Sequence, residues 1–366
     1  MKILDYMRKN KDWRTSLKEK PYCLKIEEND GLILLKYNQY DSDFSNLLVQ
    51  ECRGIIVREY NDDYQIVCYP FAKFFNYGEE NCNFDDSQGY YIVTEKIDGS
   101  LIKVWFDCLD NKWRISTNGR IDAFTTLTDS GISFGEAFVK ALSYYGLEFD
   151  SFCRKLLKGY TYCFELVTPY NKILCDYDNK FAMYYLMSRD NYSGREYDDW
   201  GIFKNIVDVP ERFEIFNFFD VYQMIKSLGE NKEGFVVRDK NFNLVKVKTE
   251  WFINNFYKKC QNISVRDLIK VILDGEESEF LTYCPQYEDR LKELKKAMKE
   301  IESTSRRYAE ETTDIPKQGL RAYFIYNCVP KMFWDYLYHS HEIKWNEYMK
   351  DENDWLRKIK EWHKND

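Results

Sequence analysis

The sequence lacks the cysteine and histidine clusters that build zinc sites. It has 11 Cys among 366 residues, but no Cys-x-x-Cys pair and no Cys/His group at zinc spacing. The cysteines are scattered through apolar runs. We therefore expect reduced, buried thiols, as in a cytosolic protein.

Long hydrophobic runs are also absent. No segment approaches the roughly 20 apolar residues that a membrane helix needs. The N-terminal stretch MKILDYMRKNKDW is charged and has no apolar run typical of a signal peptide. We expect a protein of the cytoplasm that does not enter a membrane.

An excess of positive charge is missing as well, because the net charge is −8. This argues against a uniformly basic coat for nucleic acid, although a local basic cleft is still compatible with it. Hydrophobic residues make up 44% of the chain and charged residues 31%. That composition supports a folded core and one large domain or two ordinary ones.

The first part of the chain, from about residue 22 to 250, has mainly the pattern of strands. Short β-branched and aromatic runs alternate with turn signals such as NDG, NDD and DKN. The runs are GLILLKY, GIIVREY, YQIVCYP, YYIVTE, LIKVWF, WRIST, YTYCFELV, KFAMYYLM, EGFVVRD and NLVKVK. Between them, GISFGEAFVKALSYYG has helical spacing. These patterns predict an α+β fold built on antiparallel sheets.

After about residue 250 the pattern becomes helical. VRDLIKVILDG, YEDRLKELKKAMKEIESTSRRYAEE and KWNEYMKDENDWLRKIKEWHK all read as helices. In the second, Leu291, Leu294, Met298 and Ile301 share one face. We therefore predict two domains, 1–250 and 251–366, the second all-helical.

Several apolar strands of the first domain contain or end in a charged residue. A single charge at a strand end is usually solvated. The pair Lys246 and Lys248 is more informative, because alternation places both on one face of a strand. Two ammonium groups there repel each other unless an anion such as a polyphosphate lies between them. The stretches are ECRGIIV with Arg53, FAKFFN with Lys73, EKIDGS with Lys96, FELV with Glu165, EGFVV with Glu233, and VKVKT.

These stretches, in this order, resemble the covalent nucleotidyltransferases, which include polynucleotide ligases and mRNA capping enzymes. ECRGIIV, FAKFFN, FELVTPYNKIL and VKVKTEWF, followed by a helical tail with LIKVILDG, are more specifically similar to the bacteriophage RNA ligase 1 family. The resemblance covers nearly the whole chain. It implies an ATP-grasp-like nucleotidyltransferase domain followed by a helical domain that favours tRNA.

The resemblance implies that Lys96 is the nucleophile, which attacks the α-phosphorus of ATP and forms a lysine-AMP adduct. Nearby cations and partial burial favour the neutral amine that this attack requires. The remaining ATP-binding residues that it implies are Tyr37, Arg53, Lys73, Asp98, Gly99, Glu165, Glu233, Lys246 and Lys248. For Tyr37, an ordinary core tyrosine is an equally good interpretation.

Two positions depart from the family pattern. The stretch STNGR has Asn118 where the family has a lysine, and Arg120 is a candidate replacement. The family also has a magnesium-binding carboxylate after the DG of the tail. In DGEESEF the matching position is closest to Ser278, so Glu277 and Glu279 are the candidates, with a solvated helix start as the alternative. Mg²⁺ is expected with ATP.

The implied function is an ATP-dependent RNA ligase that joins 5′-phosphate and 3′-hydroxyl ends. The resemblance also implies a substrate, tRNA broken in its anticodon loop, and a partner, an end-healing polynucleotide kinase/phosphatase, in a host cytoplasm. The alternatives are a DNA ligase or capping guanylyltransferase, and a non-catalytic protein that binds RNA ends. The tail residues Lys292, Lys295, Lys296, Lys299, Arg306 and Arg307 could contact RNA, but interleaved glutamates make a salt-bridged helix face an equal alternative.

Overall fold

The chain forms two compact units, Met1–Phe256 and Tyr257–Asp366, in the computed structural model. The sequence places the boundary near residue 250, and the function of each unit stays a prediction. The structure describes residues 1–38, 41–61, 63–128, 130–260, 263–274, 277, 280–281, 284–339, 348–349 and 352–363, without the side chains of residues 257, 259 and 260.

The first unit is built on β-strands, which match every strand run predicted from the sequence. They are β1 (Lys25–Asn29), β2 (Leu32–Lys36), β3 (Arg53–Tyr60), β4 (Asp63–Cys68), β5 (Phe75–Asn76), β6 (Tyr91–Lys96), β7 (Ser100–Asp107), β8 (Lys112–Thr117), β9 (Tyr160–Val167), β10 (Ala182–Asp190), β11 (Glu196–Tyr197), β12 (Arg212–Ile215), β13 (Gly234–Arg238) and β14 (Leu244–Lys248).

The strands form three sheets. The first has the order β1-β2-β3-β4, the second β11-β10-β9-β7-β8, and the third β12-β6-β13-β14-β5. Neighbouring strands are antiparallel, except that β5 pairs parallel to β14. The predicted α+β class with antiparallel sheets is confirmed.

Each sheet buries an apolar face against helices of the same unit. These helices are α1 (Lys2–Lys9), α2 (Trp13–Ser16), α3 (Leu47–Glu51), α4 (Phe134–Tyr144), α5 (Phe149–Cys153), α6 (Trp200–Phe203), α7 (Phe219–Ser227) and α8 (Glu250–Cys260), the last of which runs into the second unit. Helix α1 packs on the first sheet, α4 and α5 on the second, and α7 on the third. Helix α4 starts at a capping box, in which Ser133 and Glu136 satisfy each other's backbone N–H groups.

The described residues of the second unit are helical, as predicted. Beyond α8, its helices are α9 (Val265–Asp274), α10 (Glu288–Glu311), α11 (Leu320–Tyr326), α12 (Lys331–His339) and α13 (Glu352–Trp362). Leu291, Leu294, Met298 and Ile301 are all buried on one face of α10, which confirms the predicted amphipathic helix.

The opposite face of α10 is occupied by ion pairs between neighbouring turns. Arg306 lies 2.6 Å from Glu302, and Lys292 lies 2.6 Å from Glu288. Such pairs are typical of a solvated helix face, and each stabilises a helix by roughly 0.2–0.5 kcal/mol. The structure therefore supports the salt-bridged alternative for this basic cluster.

The structure bears on two expectations from the sequence, the absence of membrane helices and the reduced state of the cysteines. Of the helices that the structure describes, none combines the length and the apolar character needed to cross a membrane. The thiols of Cys23, Cys52, Cys68, Cys82, Cys108, Cys153, Cys163, Cys175 and Cys328 are free. Cys284 is disulfide-bonded, so the expectation of reduced thiols is wrong for that residue.

Candidate active site

The site is organised by the register of three neighbouring strands in the third sheet. Lys96, the last residue of β6, is opposite Gly234, the first residue of β13, and Gly234 is also opposite Lys248, the last residue of β14. Residues in register share a face of the sheet, so both lysines lie on one face. Lys246, two residues from Lys248, lies on that face too.

The other face of the same strands is apolar. Val245 and Val247 alternate with the two lysines and pack in a core with Phe235 and Val237. This alternation confirms that Lys246 and Lys248 share one side of a strand. The core holds the strand in register, because a slip by one residue would bury both ammonium groups among apolar side chains.

Glu233 joins the two strand-end lysines. Its Oε2 lies 2.8 Å from Lys96 Nζ, and its Oε1 lies 2.8 Å from Lys248 Nζ. The carboxylate side chain is 2% exposed, whereas that of Lys96 is 16% exposed. One buried carboxylate therefore forms ion pairs with two ammonium groups, and the trio keeps a net positive charge beside Lys96, the more exposed of the two lysines.

Gly234 makes this arrangement sterically feasible. A Cβ atom there would lie 2.2 Å from the Val247 carbonyl oxygen and 2.8 Å from Lys248 Cα, and the residue has φ +148°. No other residue fits at such a close approach. The Glu-Gly pair thus lets β13 start against the backbone of β14, which brings Glu233 next to Lys248.

A second group of cations lies on aromatic rings. The Arg53 guanidinium carbon is 4.6 Å from the ring centre of Phe71 and 5.3 Å from that of Phe74, and Lys246 Nζ is 5.0 Å from the Phe74 ring. Ring faces attract cations without neutralising them. Phe74 therefore brings two predicted phosphate-binding residues to one place, although Arg53 comes from the first sheet and Lys246 from the third.

Lys73 lies against a third set of rings. Its Nζ is 4.5 Å from the ring centre of Phe44, 5.1 Å from Tyr37 and 5.2 Å from Phe75. Tyr37 is buried in the core of the first sheet, as the core interpretation predicts. Its contact with ATP stays a prediction.

Gly99 and Glu165 meet where the turn after β6 crosses the second sheet. A Cβ atom on Gly99 would lie 2.5 Å from the Leu166 carbonyl oxygen and 3.1 Å from Glu165 Cγ. The turn therefore packs directly on β9. Glu165 shares the face of β9 that carries Cys163, opposite the large core formed by Phe164 and its neighbours.

Asp98 has a structural role in that turn. Its Oδ2 accepts the backbone N–H groups of Leu174 at 2.9 Å and Cys175 at 2.7 Å. Burial and the nearby charge of Glu233 raise the pKa of Asp98 to about 6, against the lowering effect of those two donors. The carboxylate thus fastens the turn after Lys96 to the loop that follows β9.

The predicted metal ligands lie in the second unit or outside the described residues. Glu277 is buried and lies 3.0 Å from Lys295, so its carboxylate already has a cationic partner. Glu279 and Ser278 fall outside the described residues. Within the described part of the chain, no group of three or more His, Cys, Asp or Glu side chains is placed to hold a metal ion. Metal binding by Glu277 stays a prediction.

The sequence interpretation missed one inward-facing lysine. Lys103 is completely buried on β7, and its Nζ donates to the Gly54 carbonyl oxygen. The signal was present in LIKVWF, where a lysine interrupts an apolar strand. Arg120, the candidate replacement for the family lysine, is exposed. Burial raises the pKa of Glu27, and the nearby charge of Arg120 partly offsets that rise.

Comparison with known proteins supplies the family. Residues 51–260, more than half of the chain, match the model of a family described as RNA ligase. The chain belongs to the phage RNA ligase 1 family. This membership confirms the resemblance inferred from the sequence motifs.

Two viral relatives of this RNA ligase family member have names that describe an activity. One, from Autographa californica nuclear polyhedrosis virus, is named as a bifunctional polynucleotide kinase/RNA ligase and is 29% identical over 276 residues, 71% of this chain and 38% of that protein. The other, an RNA ligase of Rhodothermus phage RM378, is 27% identical over 179 residues, 40% of this chain and 39% of that protein. The chain thus spans less than two fifths of either relative.

Among solved structures, an archaeal ATP-dependent RNA ligase aligns with a TM-score of 0.48 at 14% identity. The alignment covers 81% of this chain and 79% of the archaeal chain.

The raised pKa of Asp98 makes a prediction about stability in this RNA ligase family member. A carboxyl group that titrates near 6 when folded and near 3.8 when unfolded stabilises the fold fully below pH 4, and that contribution is lost as pH rises through 6. Asp98→Asn keeps an oxygen for both N–H donors and removes the titration. Its free energy of unfolding relative to wild type should therefore rise by about 3 kcal/mol between pH 4 and pH 7.

Denaturant unfolding at several pH values measures this difference. Asp176→Asn is a matched control, because that carboxyl is exposed and has a lowered pKa. A difference between Asp98→Asn and wild type that stays constant with pH would contradict the assignment.

Proposed function

We propose that the chain is an ATP-dependent RNA ligase that joins 5′-phosphate and 3′-hydroxyl RNA ends. The observation that carries this proposal is the shared carboxylate of Glu233, which holds a partly exposed lysine beside a second, buried lysine. Family membership supplies the reaction class, and this geometry supplies a nucleophile with cations around it.

The first step is formation of a lysine-AMP adduct. The neutral amine of Lys96 attacks the α-phosphorus of ATP, a P–N bond forms, and the bond to pyrophosphate breaks with its electron pair leaving on pyrophosphate. Glu233 Oε2, which lies 2.8 Å from Lys96 Nζ, is an acceptor for the amine proton. Lys248 on the other carboxylate oxygen weakens the hold of Glu233 on the ammonium form of Lys96, which favours deprotonation.

The cations on the aromatic rings match the charge that develops in this step. Negative charge grows on the β- and γ-phosphates as pyrophosphate leaves, and Arg53, Lys73 and Lys246 are assigned to stabilise it. The Nη1 atom of Arg53 is buried without a hydrogen-bond partner among the described residues, so it is available to a phosphate oxygen. Glu165, beside the turn, is assigned to the ribose.

Two further transfers complete ligation. An oxygen of the RNA 5′-phosphate attacks the adenylate phosphorus, and Lys96 leaves as an amine that takes up a proton. The 3′-hydroxyl of the other end then attacks the 5′-phosphorus, loses its proton, and releases AMP. The cation-rich face of the third sheet stabilises the phosphates in both transfers.

Magnesium binding by Glu277 or Glu279 stays a prediction, and the carboxylate of Glu277 is paired with Lys295. Magnesium is expected with ATP because it meets the charge of the phosphates. No step is assigned to a protein-held metal.

The alternatives receive less support. DNA ligases and capping enzymes normally carry a β-barrel domain after the lysine pair, whereas the described residues after Lys248 form helices. A protein that only binds RNA ends needs no amine exposed beside a buried carboxylate.

Covalent labelling tests the nucleophile. Lys96→Ala should abolish formation of a labelled protein adduct from ATP, because it removes the attacking amine. Lys172→Ala is the control, since it removes an exposed lysine that pairs with Asp176. The adduct is measured with labelled ATP on a denaturing gel. An adduct that persists in Lys96→Ala would contradict the assignment of Lys96 as the nucleophile.

The lysine pair should contribute through its charge. Lys246→Met and Lys248→Met keep the chain length but remove a cation, and each should slow single-turnover adenylation about a hundredfold. Lys112→Met is the matched control, because Lys112 is an exposed strand lysine in the second sheet. Normal adenylation rates in both site variants would contradict this role, and the two lysines would then be interpreted as solvated strand residues.

The substrate assignment is broken tRNA, repaired together with an end-healing kinase/phosphatase in the host cytoplasm. A viral relative whose name includes polynucleotide kinase activity supports a link between end healing and sealing. We assign recognition of the folded RNA to the helical second unit, because a folded RNA presents a shape that a second surface must read.

Charge reversal on α10 tests this recognition. Lys296 is 79% exposed, and its ion pair with Glu300 is long at 3.9 Å. Its ammonium group is therefore accessible to a phosphate. Lys296→Glu with Lys299→Glu should reduce ligation of a nicked tRNA stem-loop about tenfold relative to a plain single strand.

Lys9→Glu with Lys11→Glu is the control, because it changes the net charge equally on exposed residues of the first unit. The measurement is the ratio of ligation rates on the two RNAs. An unchanged ratio in the α10 variant would leave its basic residues as a salt-bridged face only.

A further inference from the structure

Lys103 is a buried cation that the reaction described above does not use. It lies on β7 between Ile102 and Val104, which point into the main core of the second sheet, and its own side chain points to the opposite side. The side chain is fully buried, and burial lowers the pKa of Lys103. An apolar side chain of the same size would fill this space without the desolvation cost.

The amine of Lys103 makes a specific contact with the neighbouring sheet. Its Nζ donates to the carbonyl oxygen of Gly54 in β3. Gly54 is enclosed here, since a Cβ atom on it would lie 3.0 Å from Lys103 Nζ and 2.5 Å from the Asn118 carbonyl oxygen. The contact therefore fixes the backbone at the start of β3.

The residue fixed by this contact is Arg53, which immediately precedes Gly54. Its guanidinium lies on the rings of Phe71 and Phe74, and its Nη1 is buried without a hydrogen-bond partner among the described residues. A buried guanidinium N–H without a partner is costly unless a ligand completes it. Ring contacts alone do not fix the orientation of a guanidinium. The direction in which Arg53 points therefore depends on the position of its backbone.

We propose that Lys103 is a positioning residue for lysine adenylation, which holds the Gly54 carbonyl so that Arg53 faces the β- and γ-phosphates of ATP. This inference rests on the proposed function. Lys103 acts through Arg53 and does not touch the nucleotide. It therefore affects the step that uses pyrophosphate as the leaving group, and not the sealing of RNA that already carries AMP.

Two assays separate these steps. Lys103→Met should raise the KM for ATP in adenylation about tenfold, the effect of losing one hydrogen bond to a charged donor. Sealing of pre-adenylated RNA should stay within about twofold of wild type. An equal loss in both assays would show that Lys103 only supports the fold, and no loss in either would also overturn the proposal.

A matched control exists in the second unit. Lys358 is likewise buried, and its Nζ donates to the Met332 carbonyl oxygen. Lys358→Met should leave the KM for ATP unchanged even where it lowers the melting temperature. A rise in KM equal to that of Lys103→Met would mean that the effect follows from lost stability.

A double-mutant cycle tests the route through Arg53. If Lys103 acts by aiming Arg53, then Lys103→Met should change adenylation little in an Arg53→Ala background. Independent, additive losses would contradict the proposal. If Lys103→Met fails to fold, Lys103→Gln keeps a neutral donor, and the same split between KM for ATP and sealing rate is then expected with a smaller size.

The outcome is separable from failure of the proposed function. If the proposed function is wrong, the wild-type protein itself will form no adduct on Lys96. Neither adenylation nor sealing will then be measurable, whether or not Lys103 is changed.

Discussion

The candidate site depends on one buried carboxylate that two lysines share. Glu233 is almost fully enclosed, and its negative charge is compensated by ion pairs with Lys96 and Lys248. The reverse also holds, because two ammonium groups this close would repel each other without it. Removing one member of such a buried trio typically costs about 3–5 kcal/mol, since it leaves uncompensated charge. The register of β6, β13 and β14 therefore stabilises the fold as well as forming the site, because it brings the three charged side chains together.

Around this trio, the protein places cations on aromatic rings. Phe71 and Phe74 carry Arg53, and Phe44 lies beneath Lys73. A ring holds the cation through its quadrupole and leaves the charge in place. The aromatic content of FAKFFN thus has a physical reason beyond core packing.

Much of this could be predicted from the sequence, because the signals were local. The central strands show apolar alternation, and Lys246 and Lys248 follow it directly. The edge strands β1 and β12 escaped prediction, since KIEEN and RFEI are charged and edge positions tolerate such residues. The shared carboxylate also could not be predicted from periodicity, because it depends on which strands become neighbours. Lys103 was visible as an anomaly, but its partner Gly54 comes from another sheet.

The parallel pairing of β5 with β14 has a consequence for the order in which the protein matures. Phe75 lies opposite Val245, so the segment that carries Lys73 and Phe74 is completed by a strand made much later in synthesis. Contacts between such distant segments form late, because the intervening chain must first be ordered. Lys246 and Lys248 lie on β14, so they join the strand that carries Lys96 only when this late pairing has formed.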